Sequence, residues 1–334
     1  KTLYANDPFF AKTKTVFTVH NLGYQGNFPP DSLPMTGLSW DEFKMERLEF
    51  YGKMSFLKGA LVYADALTTV SPRYAQEIQT KEFGCGLEGV LKARREPAVG
   101  IINGIHHEIW NPATDVKIAK TYTKDEVRIG KTANKAKLQN LLKLPQRADV
   151  PLFAFVSRLV HQKGVDLILE VMEQFLGMDV QVVMLGTGEK HYEKQVKAYT
   201  EKYPQKIWAN FQFDDFLAHQ IYAGADFFLM PSRFEPCGLS QMISMTYGTI
   251  PIAFTTGGLV DTVKPFNAKL LKGNGILFSH FTKKDLLNAL AQAMEIYRDE
   301  KKFHTLRANA SAVDFSWEHA AAEYIKVYEC LLSA

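Results

Sequence analysis

The chain has 334 residues, 46% of them apolar and 22% charged, and its 39 Lys and Arg against 36 Asp and Glu give a formal net charge of +3. That length and composition supply two soluble domains with ordinary cores. Basic and acidic residues are interspersed, which argues against a nucleic-acid partner, and no apolar run reaches the roughly 18 residues of a membrane span, which argues against a membrane partner.

The three cysteines, Cys85, Cys237 and Cys330, imply no disulfide framework and point to a reducing compartment. The chain opens at Lys1 without an initiator Met or a signal-like segment. Residues 16–19 already read as a buried strand, so we expect the sequence to start inside a domain.

After that strand comes a Gly-rich turn, His20-Asn21-Leu22-Gly23-Tyr24-Gln25-Gly26, and then an irregular loop held by Pro29, Pro30 and Pro34. Residues 41–63 read as mostly helical, with Phe43, Leu48, Tyr51, Met54, Leu57 and Leu61 near one face. Residues 66–70 form a short strand. Ser71-Pro72 then opens a helix, because the hydroxyl caps free N–H groups and proline fits the first helical position. Residues 98–102 are another strand, ending at Asn103-Gly104. A helix follows from about residue 124 to 144, opened by the capping box Thr123-x-x-Glu126, and residues 145–151 read as a linker.

Beyond Pro151 the rhythm is regular. Strands are expected at 152–156, 180–185, 207–211, 227–230, 251–254 and 275–278, with helices at 165–175, 191–202, 215–223, 239–247 and 259–263. Alternating helices and continuously apolar strands mean a parallel sheet covered on both faces. Ligands of such sheets bind at the carboxyl ends of the strands. A last helix, 317–332, follows Ser316.

Four loops of the second half fall at that edge. In Ser157-Arg158-Leu159-Val160-His161-Gln162-Lys163-Gly164, two cations five residues apart suit a diphosphate; two solvated surface cations would read the same way. Gly186-Thr187-Gly188-Glu189 superficially suggests a dinucleotide fingerprint, but His191 stands where its third glycine belongs, and a plain strand-to-helix turn fits better. In Ser232-Arg233-Phe234-Glu235-Pro236-Cys237-Gly238-Leu239, Glu235 suits sugar hydroxyls, although a carboxylate at a helix start is also favoured by the helix dipole. Cys237 fits a small buried residue better than a reactive one. Thr255-Thr256-Gly257-Gly258 offers a helix start to phosphate, or an ordinary glycine turn.

The chain has no Asp-x-Asp pair, no Cys/His cluster with zinc spacing, no G-x-S-x-G elbow and no P-loop. These absences argue against a metal-dependent transferase, a serine hydrolase and a P-loop NTPase. We expect no metal and no cofactor.

Together these residues resemble the bacterial glycogen synthase and plant starch synthase family. The landmarks are His20-Asn-Leu-Gly-Tyr-Gln-Gly, Thr69-Val-Ser-Pro72, Ile102-Asn-Gly-Ile105, Trp110-Asn-Pro112, Ser157-Arg-Leu-x-x-Gln-Lys-Gly164, Pro231-Ser-Arg-Phe-Glu-Pro-Cys-Gly-Leu239 and Thr256-Gly-Gly-Leu259. The resemblance implies an α/β fold of the GT-B type, with two Rossmann-like doubly wound domains facing a cleft. On that basis residues 1–145 are the first domain plus linker, 146–315 the nucleotide-sugar domain, and 316–334 a helix crossing back to the first domain. It implies an ADP-glucose:1,4-α-glucan 4-α-glucosyltransferase that retains configuration. Its donor is ADP-glucose and its acceptor glycogen, starch or a maltooligosaccharide. Ile243 stands where related GT-B families carry a second glutamate, which agrees with the bacterial and plant type.

The same resemblance assigns roles. Arg158 and Lys163 neutralise the donor diphosphate, and Glu235 binds the glucose. Cys237, Gly238 and Leu239, with Thr256, Gly257 and Gly258, surround sugar and phosphate, with backbone N–H groups presented by Cys237-Gly238 and Thr256-Gly257-Gly258. His20 and Asn103 face the cleft from the first domain, so domain closure is expected, and Phe213 lies near the adenine. The compartment implied is the bacterial cytoplasm, or alternatively the plastid stroma.

The family's Lys-x-Gly-Gly-Leu loop is absent, and His20 comes early. We therefore expect the first domain to be incomplete, with an unpaired apolar strand edge, and the polypeptide to transfer little or no glucose. An alternative is a non-catalytic nucleotide- or glucan-binding module on the same scaffold. An NAD-dependent dehydrogenase fails at the incomplete fingerprint around Gly186, and a phosphorylase shows no sign of its cofactor lysine.

Overall fold

The computed structural model describes residues 1–333. Contacts divide the chain into two compact units, Lys1–Asn103 together with the chain from Glu318 onward, and Gly104–Trp317. In the first unit the elements run β1 (Val16–Val19), β2 (Asn27–Phe28), β3 (Glu49–Phe50), β4 (Lys53–Ser55), α1 (Phe56–Tyr63), β5 (Ala66–Thr69), α2 (Pro72–Glu77), α3 (Glu88–Lys92) and β6 (Val99–Gly100). Strands β1, β5 and β6 form a parallel sheet in the order β1-β5-β6, which leaves β1 at an edge with Val16 and Phe17 half-buried. Helix α2 starts as its sequence dictates: the Ser71 hydroxyl accepts the Tyr74 N–H at 2.8 Å, and Pro72 occupies the first turn.

The expected helix over residues 41–63 is corrected. Only its end, α1, is helical; β3 and β4 before it are an antiparallel hairpin that also pairs with β2. The two connecting residues, Tyr51 and Gly52, both have positive φ, 50° and 75°, the geometry of a tight hairpin turn. Tyr51, assigned to the apolar face, is 81% exposed at the tip. Leu48 and Met54 are buried, but against Leu33, in a small cluster of their own.

The second unit runs α4 (Val127–Leu141), β7 (Leu152–Val156), α5 (Val165–Leu176), β8 (Gln181–Leu185), α6 (Lys190–Lys202), β9 (Ile207–Asn210), α7 (Asp215–Gly224), β10 (Phe227–Met230), α8 (Ser240–Thr246), β11 (Ile250–Phe254), α9 (Gly257–Thr262), β12 (Ile276–Phe278), α10 (Lys283–Arg298) and α11 (Glu300–Ser311). All six strands are parallel, in the order β12-β11-β10-β7-β8-β9. Phe153, Val182, Phe227 and Ile252 from the strands, with Ile168, Phe175 and Leu290 from α5 and α10, belong to one continuous core. The Phe153 and Phe227 rings stack with centroids 5.0 Å apart. The chain ends in α12 (Trp317–Ser333). No helix among the described residues is long and apolar enough to cross a membrane.

The expected first domain ran to residue 145, but the division falls between Asn103 and Gly104. The physical reason is that residues 104–145 are tied to the second sheet. The Tyr122 hydroxyl donates to the Tyr247 carbonyl at 2.8 Å, Asp115 Oδ2 lies 2.7 Å from His219 Nδ1, and Trp110 stacks on His219 at 4.0 Å. Helix α4 adds Lys135, whose ammonium reaches Asp226 Oδ2 at 2.6 Å.

Candidate active site

The sheet of the second unit changes direction at its centre. Strands β7 and β10 are neighbours, yet β8 and β9 continue on one side and β11 and β12 on the other. Doubly wound sheets bind ligands in a crevice at such a switch point, outside the carboxyl ends of the strands. The loop after β7 carries Arg158 and Lys163; the loop after β10 carries Glu235.

These loops are locked together through backbone. A Cβ on Gly164 would lie 1.9 Å from the Pro231 carbonyl oxygen, so no other residue permits the approach, and its φ of +70° also favours glycine. The Arg233 N–H donates to the Gln162 carbonyl at 2.9 Å, and Gln162 Nε2 donates to the Phe234 carbonyl at 3.3 Å. The Lys163 ammonium sits 2.5 Å from Glu235 Oε2, and the Ser232 hydroxyl donates to the same oxygen at 3.0 Å. Glu235 is buried, whereas Arg158 is exposed and makes no ion pair among the described residues.

The loop after β11 closes the third side. The Gly258 N–H donates to the Glu235 carbonyl at 3.0 Å, and a Cβ there would fall 2.1 Å from the Cys237 carbonyl oxygen. The expectation that Gly258 presents its N–H to a ligand is therefore corrected: that donor already holds two loops in register. Thr256 Oγ1 is buried and has no hydrogen-bond partner. Gln241 Nε2 donates to the carbonyls of Cys237 (3.0 Å) and Gly238 (2.8 Å) and to Thr262 Oγ1 (3.0 Å), which fixes the turn into α8.

The structure thus brings Lys163, Glu235, Cys237, Gly238, Thr256, Gly257 and Gly258 to one sheet edge, with Arg158 on the same loop as Lys163. Cys237 is buried and Leu239 is exposed. Phe213 follows β9 at the same end of the sheet and is 89% exposed. His20 and Asn103 belong to the first unit. His20 follows β1 and is exposed, and Asn103 is half-buried with its Oδ1 unpartnered.

Sequence reasoning missed three supporting residues. Arg233 pairs with Asp166 and lies 4.0 Å over the Phe281 ring. Gln162 and Gln241 act as braces. Gln162 stands inside the Ser157–Gly164 motif but carries no charge to attract notice, and Gln241 lies two residues past the motif that ends at Leu239. No group of three or more His, Cys, Asp or Glu placed to hold a metal occurs among the described residues.

Comparison with known proteins bears on this site. The starch synthase catalytic domain model matches residues 1–93, and the glycosyl transferases group 1 model matches residues 139–312. A glycogen synthase of Fervidobacterium nodosum is 49% identical over 329 residues, covering 98% of this chain and 67% of the relative. That of Thermotoga maritima is 46% identical over 334 residues, covering 100% and 68%. The catalytic domain of starch synthase IV from Arabidopsis thaliana, solved bound to ADP and acarbose, superposes with a TM-score of 0.91 at 33% identity, covering 99% of this chain and 70% of that one. The chain spans about two thirds of the length of these relatives.

Proposed function

We propose, for a chain that belongs to the glycogen synthase and starch synthase family of glycosyltransferases, that the crevice between β7 and β10 binds ADP-glucose and that its glucose passes to the 4-OH of an α-1,4-glucan with retention of configuration. The observation that carries this reading is the Lys163–Glu235 pair at the switch point. It places a cation for phosphate beside a buried acceptor for sugar hydroxyls. The starch synthase of similar structure was solved with ADP, which supports the adenine nucleotide.

In this reading Arg158 and Lys163 stabilise the negative charge that develops on the departing diphosphate. A nucleoside diphosphate is a good leaving group, so no strong general acid is needed. The bond between the anomeric carbon and the phosphate oxygen breaks. A bond from that carbon to the acceptor 4-oxygen forms on the same face, and the hydroxyl proton passes to a phosphate oxygen. Glu235 holds the glucose as an acceptor of hydrogen bonds, not as a nucleophile. Thr256, Gly257, Cys237 and Gly238 shape the sugar and phosphate pocket, Leu239 flanks it, and Phe213 stacks on the adenine. The bacterial relatives support a bacterial cytoplasmic setting over the plastid stroma.

Calorimetry with ADP, ADP-glucose and UDP-glucose, beside an elongation assay on maltooligosaccharide, tests the proposal. ADP and ADP-glucose should bind in competition, and both should weaken in Arg158→Ala. Binding that ignores Arg158 and Lys163 would overturn the assignment. Trapping a covalent glycosyl-enzyme would overturn the same-face route. Nucleotide binding without any transfer, persisting when the third of the relatives' sequence outside the match is supplied, would favour the non-catalytic module.

A further inference from the structure

The second unit holds another concavity, at the opposite end of its sheet. It has a volume of about 590 Å³ and lies among α4, the start of β10, and helices α10 and α11. Arg128, Lys131, Lys135, Arg298 and Arg307 line it, with three carboxylates, Asp149, Asp226 and Glu300. Two of the carboxylates are already engaged. Asp149 is held by Arg147 through a two-pronged pair at 2.9 and 2.6 Å. Asp226 is shared between Lys135 at 2.6 Å and Arg307 at 2.7 Å, so one buried carboxylate answers two buried cations.

Lys131 donates to the Tyr222 carbonyl at 2.9 Å and to the Thr249 hydroxyl at 2.5 Å, but two buried nitrogens of the lining have no partner. Arg307 is only 4% exposed, yet its Nε has no hydrogen-bond partner. His304 Nδ1, lining the same cavity, is buried and unpartnered as well. Leaving a buried polar group without a partner costs stability, and more so on a charged group. The electrostatic strain has a second signature: burial first, then Arg307 and Arg128, push the His304 imidazole below its ordinary range. Burial, then Arg307, push the Lys131 ammonium well below its own. Arg128 and Arg298 are exposed on the rim, where their planar forks suit a tetrahedral oxyanion.

We infer that this cavity is a binding site for a small phosphate-bearing anion, inorganic phosphate or a phosphomonoester, separate from the donor crevice. Its volume lies within the usual range for small-molecule pockets, roughly 300–1,000 Å³. The anion would accept from Arg307 Nε, His304 and the rim arginines, and would supply the countercharge that Asp226 alone does not.

Titration calorimetry of the full chain with inorganic phosphate and with glycerol 3-phosphate, in low-chloride buffer, tests this. Saturable one-to-one binding is expected, weakened at least about tenfold in the rim double variant Arg128→Ala/Arg298→Ala, the effect of losing roughly 1.4 kcal/mol. ADP affinity should be unchanged in that variant, because neither residue belongs to the donor crevice. Phosphate should also raise the His304 pKa followed by NMR, a readout independent of the arginines. Absence of saturable binding, binding undiminished in the double variant, or competition of phosphate with ADP alone would each overturn the site. Citrate binding as tightly as glycerol 3-phosphate would overturn the phosphate assignment.

Discussion

Lys163 and Glu235, 72 residues apart in sequence, meet with 2.5 Å between ammonium nitrogen and carboxylate oxygen. The contact crosses the switch point of the sheet, joining the loop after β7 to the loop after β10. Because Ser232 donates to the same carboxylate oxygen, Glu235 is held from two sides.

Replacing Lys163 by Met should weaken ADP binding by about 1.5–3 kcal/mol, the worth of a hydrogen bond to a charged group. Glu235→Gln should act differently. It should leave ADP affinity little changed but abolish any gain in affinity that the glucose of ADP-glucose confers. Calorimetry on the two variants with both ligands separates phosphate recognition from sugar recognition. Equal losses for ADP in both variants would contradict this division.

Gly258→Ala should cost at least about 1–3 kcal/mol of stability, as overpacking does. The added methyl meets the Cys237 carbonyl at 2.1 Å, and backbone cannot move aside as a flexible side chain can. Gly89→Ala in α3 is the matched control, since nothing lies within 4 Å of that position. There alanine should be neutral or stabilising by up to about 1 kcal/mol. Urea denaturation of both variants provides the comparison.

Acid should destabilise the second unit through Asp226. Burial pushes this carboxyl up, but Lys135 and Arg307 outweigh burial and hold it below the usual carboxylate range. A depressed folded pKa contributes stability that is fully present above the unfolded value, about 3.9. That contribution is lost as the pH falls from there through the lower folded value. Asp226→Asn should cost about 3–5 kcal/mol near neutrality, because two buried cations lose their partner. It should also flatten the dependence of the urea midpoint on pH below about 4. A variant that keeps the acid slope would show that other carboxylates dominate.

Phe213→Ala should leave stability unchanged, because the side chain is 89% exposed. If the ring stacks on the nucleotide base, ADP affinity should fall by about 1–3 kcal/mol, as base–aromatic stacking does. Binding of pyrophosphate, which has no base, should be untouched. A loss shared by pyrophosphate would move the effect from the base to the phosphates.

The second unit was largely legible in the sequence because its strands are short, continuously apolar and separated by helices. All six expected strands formed, within a residue or two of their expected limits. Helices α10 and α11 escaped notice, since they carry none of the motifs that drew the eye to the loops. The first unit misled where two periodicities overlap. Leu48, Met54, Leu57 and Leu61 space like a helix face, while Tyr51-Gly52 encodes a turn that only the pairing of β3 with β4 reveals.

At the site, contiguous motifs located the loops but not their partners. The Lys163–Glu235 and Asp166–Arg233 contacts join residues 72 and 67 positions apart, and nothing local in either segment announces the other. The Gly186-x-Gly188 pair, superficially a dinucleotide fingerprint, serves packing: Gly188 bridges to Leu159 across the neighbouring loop.

The glycine contacts at 164 and 258 have an evolutionary corollary. With three loops pressed carbonyl against α-carbon, there is no slack for insertions or deletions between strand end and helix start. On the proposed function, retuning this scaffold toward another sugar nucleotide would have to proceed by exchanging the protruding side chains at 158, 213 and 239. The surrounding main chain would stay fixed, as a socket stays fixed while its inserts are changed.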